Sequence, residues 1–140
     1  MNTETITKVL EKNIYFYEKN EYGHVIMVMK DITRLKLKSE NINRFIQKVI
    51  ECIEKSLVIS SKYGKTTGYV HVYMNDCLLR DISISMFRKL NKELSERFEN
   101  TVENIFIYSN TSLIKKLWGI VKLIVDPETR KKIKVITNKE

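Results

Sequence analysis

Glu103 to Val135 reads ENIFIYSNTSLIKKLWGIVKLIVDPETRKKIKV, and this stretch decides the fold. It opens as a strand, Ile105-Phe106-Ile107-Tyr108, and breaks at Ser109-Asn110-Thr111. A helix is predicted from about Ser112 to Val125. At roughly 100° per residue, Lys115, Gly119 and Lys122 fall on one narrow strip. Leu113, Ile114, Leu117, Trp118, Ile120, Val121, Leu123, Ile124 and Val125 cover about 220° of the remaining circumference. A surface helix needs only about a 100° stripe to face its own core. The surplus calls for a second apolar neighbour: a lipid, a membrane, a partner chain or more protein.

Upstream, Ile14–Tyr17 and Val25–Met29 read as two strands joined at Asn20-Glu21-Tyr22-Gly23, with the glycine suited to a turn of positive φ. Ser39 is expected to cap a long helix whose Ile42, Phe45, Ile46, Val49, Ile50, Ile53 and Leu57 make a single apolar stripe. Tyr69–Met74 carries bulky residues on both faces, as an internal strand does. Asp81 or Ser83 opens a helix that buries Ile84, Phe87, Leu90, Leu94 and Phe98. Asp126 caps a short turn with Pro127 at its first position, and Ile133–Ile136 forms the last strand. Thr3–Glu11 is expected to be a short, frayed helix. Strands alternating with helices of about 15 residues predict parallel pairing through crossovers. The expected class is α/β: one domain over residues 1–140, with a single mixed, largely parallel five-stranded sheet and flanking helices.

The order strand, broken loop, apolar helix, Asp-Pro-Glu-Thr, basic run and strand resembles the closing half of the CRAL-TRIO lipid-binding domain. Trp118 and Lys122 match the aromatic and basic residues of that family's gate helix. Asp126, Pro127, Thr129, Lys132 and Ile133 match its "DP-x-T-x-x-KI" segment, and Glu21-Tyr22-Gly23-His24 matches its first hairpin, so the resemblance covers about Lys12 to Ile136. Two family elements differ: Tyr73-Met74-Asn75-Asp76 replaces the usual acid and later glycine, and Ser109-Asn110-Thr111 replaces "N-x-P". The resemblance implies a pocket floored by the sheet and closed by the helix over residues 112–125, with Leu117, Trp118, Val121, Lys122, Ile124 and Lys115 as lipid-binding residues. Typical members carry an N-terminal helical subdomain and a longer C-terminal extension. Compact BCH-type relatives act instead as protein-interaction scaffolds, for self-association or for small GTPases, and there the surplus apolar face is a partner or dimer interface.

The charge agrees with an anionic surface as partner. The chain carries +8 overall, and residues 109–140 hold eight basic against three acidic side chains. Isoleucine, lysine and asparagine make up about a third of the residues, and that compositional bias supplies part of the basicity. Lys116, Arg130, Lys131 and Lys132 are the expected membrane contacts, at roughly 1 kcal/mol per basic residue near an anionic bilayer. Nucleic acid is disfavoured, because stacking needs aromatic rings interleaved with basic residues on an exposed strand face. Tyr15-Phe16-Tyr17, flanked by Lys12 and Lys19, reads as core.

Catalysis finds no support. His24 and His71 have no serine or cysteine in a nucleophile setting. Gly64-Lys65-Thr66-Thr67 mimics the end of a phosphate-binding loop, but Ile59 stands where its first glycine belongs, and it lies between a helix and a strand in the wrong order. Cys52 and Cys77 lack disulfide or metal-ligand spacing and read as reduced small hydrophobes. No metal or cofactor is expected. With a polar, acidic start at Met1-Asn2-Thr3-Glu4 and no apolar run long enough to span a bilayer, the expected location is cytoplasmic, at most peripheral at membranes.

Overall fold

In the computed structural model, which describes residues 2–138, α1 (Thr3–Asn13) leads into the hairpin β1 (Ile14–Lys19) and β2 (Tyr22–Val28). There follow α2 (Met29–Arg34), α3 (Glu40–Ser61), β3 (Gly68–Tyr73), a 3₁₀ turn (Leu79–Asp81) and α4 (Ile84–Arg97). The chain closes with β4 (Val102–Asn110), α5 (Thr111–Ile124), α6 (Pro127–Arg130) and β5 (Ile133–Asn138). The five strands form one sheet in the order β1-β2-β3-β4-β5, with only the β1–β2 pair antiparallel. The expected mixed five-stranded α/β sheet is therefore present.

That order has a topological consequence. From β2 to β5 every crossover steps in the same direction across the sheet. Right-handed crossovers then place α3, α4 and α5 on the same face. The opposite face receives no crossover helix.

On the covered face, α3 is the best-packed element. Phe45, Val49, Ile50 and Ile53 are buried, and each such side chain is worth about 1.5–3 kcal/mol in area removed from water. Cys52, Ser56 and Ser60 repeat every fourth residue and make a small, buried stripe that lets the helix sit close on the hairpin. Gly23 is the matching concession on the strand. A Cβ there would lie 1.9 Å from the carbonyl oxygen of Ser56, and the Gly23 N–H donates to Ser60 Oγ at 2.8 Å. Gly23 thus keeps space clear for α3 within β2 and is not the turn residue. The positive φ of the hairpin turn falls on Asn20 (55°) and Glu21 (70°), the two-residue geometry that fits strand twist.

Other local expectations shift as well. Ser39 precedes α3 but makes no side-chain cap, taking φ 50° instead. Ser83 does cap α4, accepting from the Met86 N–H. α1 runs two residues past its expected end and docks through buried Ile6 and Leu10. β4 runs directly into α5: Asn110 ends the strand, and its side chain accepts the Leu113 N–H at 2.8 Å, so no loop intervenes.

The uncovered face seals itself with rings. Alternation along the strands brings Tyr17, His24, Tyr69, His71, Phe106 and Tyr108 to this side. The His24 ring centroid lies 5.1 Å from that of Tyr17, 5.0 Å from Tyr69 and 5.2 Å from His71, all near parallel. Tyr73 stacks on Tyr108 at 4.2 Å. These separations sit close to the spacing between strands, so the rings stand off the sheet and lie against one another. Both histidines are only 8% exposed without any covering layer.

A hydrogen-bonded chain runs through the rings. His24 Nε2 lies 3.1 Å from the Lys19 carbonyl, His24 Nδ1 lies 3.0 Å from His71 Nε2, and His71 Nδ1 lies 2.8 Å from the Tyr108 hydroxyl. A carbonyl only accepts, which fixes the direction. His24 donates from Nε2, His71 donates from Nε2 to His24 Nδ1, and Tyr108 donates to His71 Nδ1. Both imidazoles are neutral in this arrangement. Burial pushes the His71 pKa down to about 4, assisted by the neighbouring His24 and Lys19, and burial with Tyr73 pushes Tyr108 up to about 12.

Candidate lipid-binding groove

The covered face is filled unevenly. Beneath α3 it is close-packed, whereas between α4, α5 and strands β3–β5 it retains a cavity of about 170 Å³. Val70, Val72, Ile105, Ile107 and Ile133 form its floor. Phe87, Leu90 and Leu94 of α4 make one wall, and Leu117, Ile120, Val121 and Ile124 of α5 make the other. The floor residues are the alternate, helix-facing positions of their strands, which is why each contributes an aliphatic group.

The cavity lining carries no charged group. Its two polar members are already engaged: Asn91 Nδ2 donates to the Ile124 carbonyl at 2.9 Å, and Thr129 Oγ1 donates to Asp126 Oδ1 at 2.7 Å. The Asn91 bond satisfies one of the carbonyls that a helix end leaves without a partner and ties the end of α5 to α4. What such a space can hold is hydrocarbon. At about 30 Å³ per methylene-sized unit, it accommodates roughly six such units, a segment of one acyl chain.

Outside the cavity, Asn91, Lys92, Ser95, Glu96, Leu123 and Asp126 line an open depression at the last turn of α5. Its mixed charge contrasts with the uncharged interior. A second polar depression, about 410 Å³, lies at the ends of β2 and β3 among Lys36, Lys38, Arg80 and Ser83, where Asp81 offsets Lys36 at 3.5 Å.

The structure divides the residues singled out from the sequence. Leu117, Val121 and Ile124 line the cavity. Trp118 is half-buried on α5 but is not part of the lining, and Lys115, Lys116 and Lys122 are exposed. Arg130 and Lys132 are half-buried at the α6–β5 junction, beside the Thr129 and Ile133 end of the cavity. Lys131 is exposed and pairs with Glu128 at 3.7 Å. Lys116 sits about 12 Å along α5 from Ile124, the helix's last residue. The surplus apolar surface of α5 is real: Leu123 is 76% exposed, the most of any large hydrophobic side chain among the described residues. Sequence reasoning missed the α4 wall. Its apolar stripe reads as core alone, since nothing local marks which core positions border a void.

Comparison with known proteins gives the same fold. The family model described as "CRAL/TRIO domain" matches residues 10–140. The chain belongs to the CRAL/TRIO domain family. The protein in "Crystal structure of Sfh5" superposes with a TM-score of 0.70 at 16% sequence identity, over 93% of this chain and 50% of that one. This chain thus spans about half the length of that relative. No curated protein matches its sequence. CRAL/TRIO domains are a lipid-binding family, and the groove lies under the helix that the resemblance identified as its gate. Among the described residues, no helix is long and apolar enough to cross a membrane.

Proposed function

We propose that this CRAL/TRIO domain binds a lipid by enclosing part of its hydrocarbon in the groove beneath α5. The observation that supports this reading is the pairing of an uncharged, incompletely filled cavity with a helix whose apolar surface exceeds what its own core uses. A cavity of about 170 Å³ falls short of the several hundred cubic ångströms that a whole lipid requires. Either a single chain occupies it, or α5 swings outward about Asn110 and Asp126 to admit more. The Asn91–Ile124 hydrogen bond is the tie such a movement would break.

Docking at an anionic bilayer fits the cations around the groove. Arg130 and Lys132 flank its Thr129 and Ile133 end in sequence, Lys131 is exposed between them, and Lys115, Lys116 and Lys122 are exposed along α5. Trp118 then sits at the margin between apolar and wet surface, where its ring and N–H are both accommodated. Replacing Lys115 and Lys122 with glutamate should abolish sedimentation with phosphatidylserine vesicles. Unchanged binding would remove these two lysines from the membrane contact.

The exposure of Leu123 favours one other reading, in which the outer face of α5 is a protein or dimer interface. Native mass spectrometry of protein purified from cells, followed by extraction, separates the two. A stoichiometric adduct of several hundred daltons that extracts as lipid supports the groove. A bare mass, especially as a dimer, overturns it in favour of the interface.

A further inference from the structure

The groove uses one side of the sheet, and the other side is chemically distinct. Six of the seven tyrosines and both histidines lie on the uncovered face or at its rim. Strand alternation brings Lys19 and Lys134 to the same face, and no strand position there is aspartate or glutamate. Lys65 lies over the Tyr22 ring at the lower margin, 5.5 Å from its centroid. The nearby carboxylates are marginal: Glu21 belongs to the hairpin turn, and Glu103 accepts from Thr67 at 2.9 Å.

The exposed surface is therefore electropositive on balance, with Glu21 and Glu103 at its margin and Glu103 near enough to Tyr69 to add to the rise that burial gives its pKa. Upright rings present their edges, which carry the positive end of the ring quadrupole. Tyrosine hydroxyls add donors, and the lysines add charge. The row of rings also ends at an edge strand: no strand lies beyond β1, where Tyr15 is 45% and Tyr17 is 36% exposed. At the other end, Phe106 and Tyr108 are flanked by Lys134 and Ile136 of β5 rather than by further rings.

We propose that this open face binds single-stranded nucleic acid, independently of whether the groove holds a lipid. Unpaired bases extend the ring row by stacking on Tyr15 and Tyr17 at the edge strand, and phosphates run past Lys19, Lys134 and Lys65. Charge complementarity selects a polyanion. The rings select one that has π-faces of its own, which a bilayer or an acidic peptide lacks. The face has the physical elements required for single-strand recognition on a sheet: helices confined to the opposite side, ring side chains on adjacent strands, and flanking cations.

The test is fluorescence anisotropy of a labelled twelve-nucleotide oligo(dT) against the full chain, alongside a duplex of equal length, polyphosphate and phosphatidylserine vesicles as competitors. The expected result is that oligo(dT) binds more tightly than duplex or polyphosphate, with a log–log salt slope of about −2 for three lysine contacts. Tyr15→Ala with Tyr17→Ala should weaken binding by roughly five- to a hundredfold at unchanged salt slope. Lys19→Glu with Lys134→Glu should reduce both affinity and slope. These four side chains are exposed, and circular dichroism verifies that the variants fold. No binding, equal binding of polyphosphate or duplex, or binding indifferent to both double variants would overturn the proposal. So would vesicles that displace the oligonucleotide from the same face, which would assign it to a membrane instead.

Discussion

The two faces of this sheet solve the same problem in opposite ways. One is aliphatic and covered by helices, yet keeps a void beneath α5. The other is uncovered, yet buries two histidines by standing aromatic rings against one another. Covering a face with a helix does not guarantee that it is filled, because a helix meets a sheet along a line. Rings that fill the spaces between strands protect polar atoms without a second layer. The covered face itself divides again, into a close-packed part under α3 and a loose part under α5.

The largest expected effect breaks the close-packed part. Gly23→Ala should destabilise by about 4 kcal/mol or more, because the added Cβ meets backbone rather than a movable side chain. Urea denaturation measures it, and a cost under 1 kcal/mol would mean that α3 rides less rigidly on β2 than described.

Matched truncations sharpen the division under the helices. Ile53→Ala on α3 should cost about 2–5 kcal/mol, since Ile53 is buried in packed surroundings. Ile124→Ala on α5 should cost under about 1 kcal/mol, because its side chain already borders a void and is half-exposed. Equal costs would erase the contrast.

The aromatic face should respond to acid. His71 has a pKa of about 4 in the folded chain, against 6.5 ordinarily. In the unfolded chain it takes up its proton first as pH falls. Its contribution is thus complete above about pH 6.5 and is lost on descending toward pH 4. Discounted for screening by solvent at an open face, the loss between pH 7.5 and 5 should be about 1–2 kcal/mol. Urea midpoints that stay flat between pH 6.5 and 5, above most carboxylate titrations, would contradict the neutral histidine chain.

The smallest effect concerns the void. Val121→Phe should fill it, changing stability by under about 1 kcal/mol while excluding a hydrocarbon ligand. Retained lipid in that variant would place the ligand elsewhere.

Much of this was legible in the residues, and the limits have physical causes. The excess apolar circumference of α5 announced an unsatisfied face, and the structure leaves Leu123 uncovered and Val121 beside a cavity. The stripe on α3 gave a helix with the correct buried side. Tyr15-Phe16-Tyr17 read as core because period-two alternation cannot say whether a face is covered. That depends on strand order, a non-local property. In the structure Phe16 lies on the helix side, near Lys55, while Tyr15 and Tyr17 face outward. The His24–His71 pair was likewise invisible, since its partners are 47 residues apart and meet only through the β2–β3 register. α2 escaped notice because its six residues are too few for a periodic signal.

The strand order has one more consequence, for how the chain folds. Every parallel pair joins strands that are consecutive in sequence, so each loop closed on pairing is a single crossover. No strand has to wait for a distant one before it can be placed. Low separation between pairing partners speeds folding relative to sheets that insert late strands between early ones. The hairpin with α3 and β3 supplies an edge, and each later helix–strand unit adds to the edge already formed. β5 is the far edge strand, so α5 with β5, the unit over the groove, is the piece whose docking the rest of the sheet does not require.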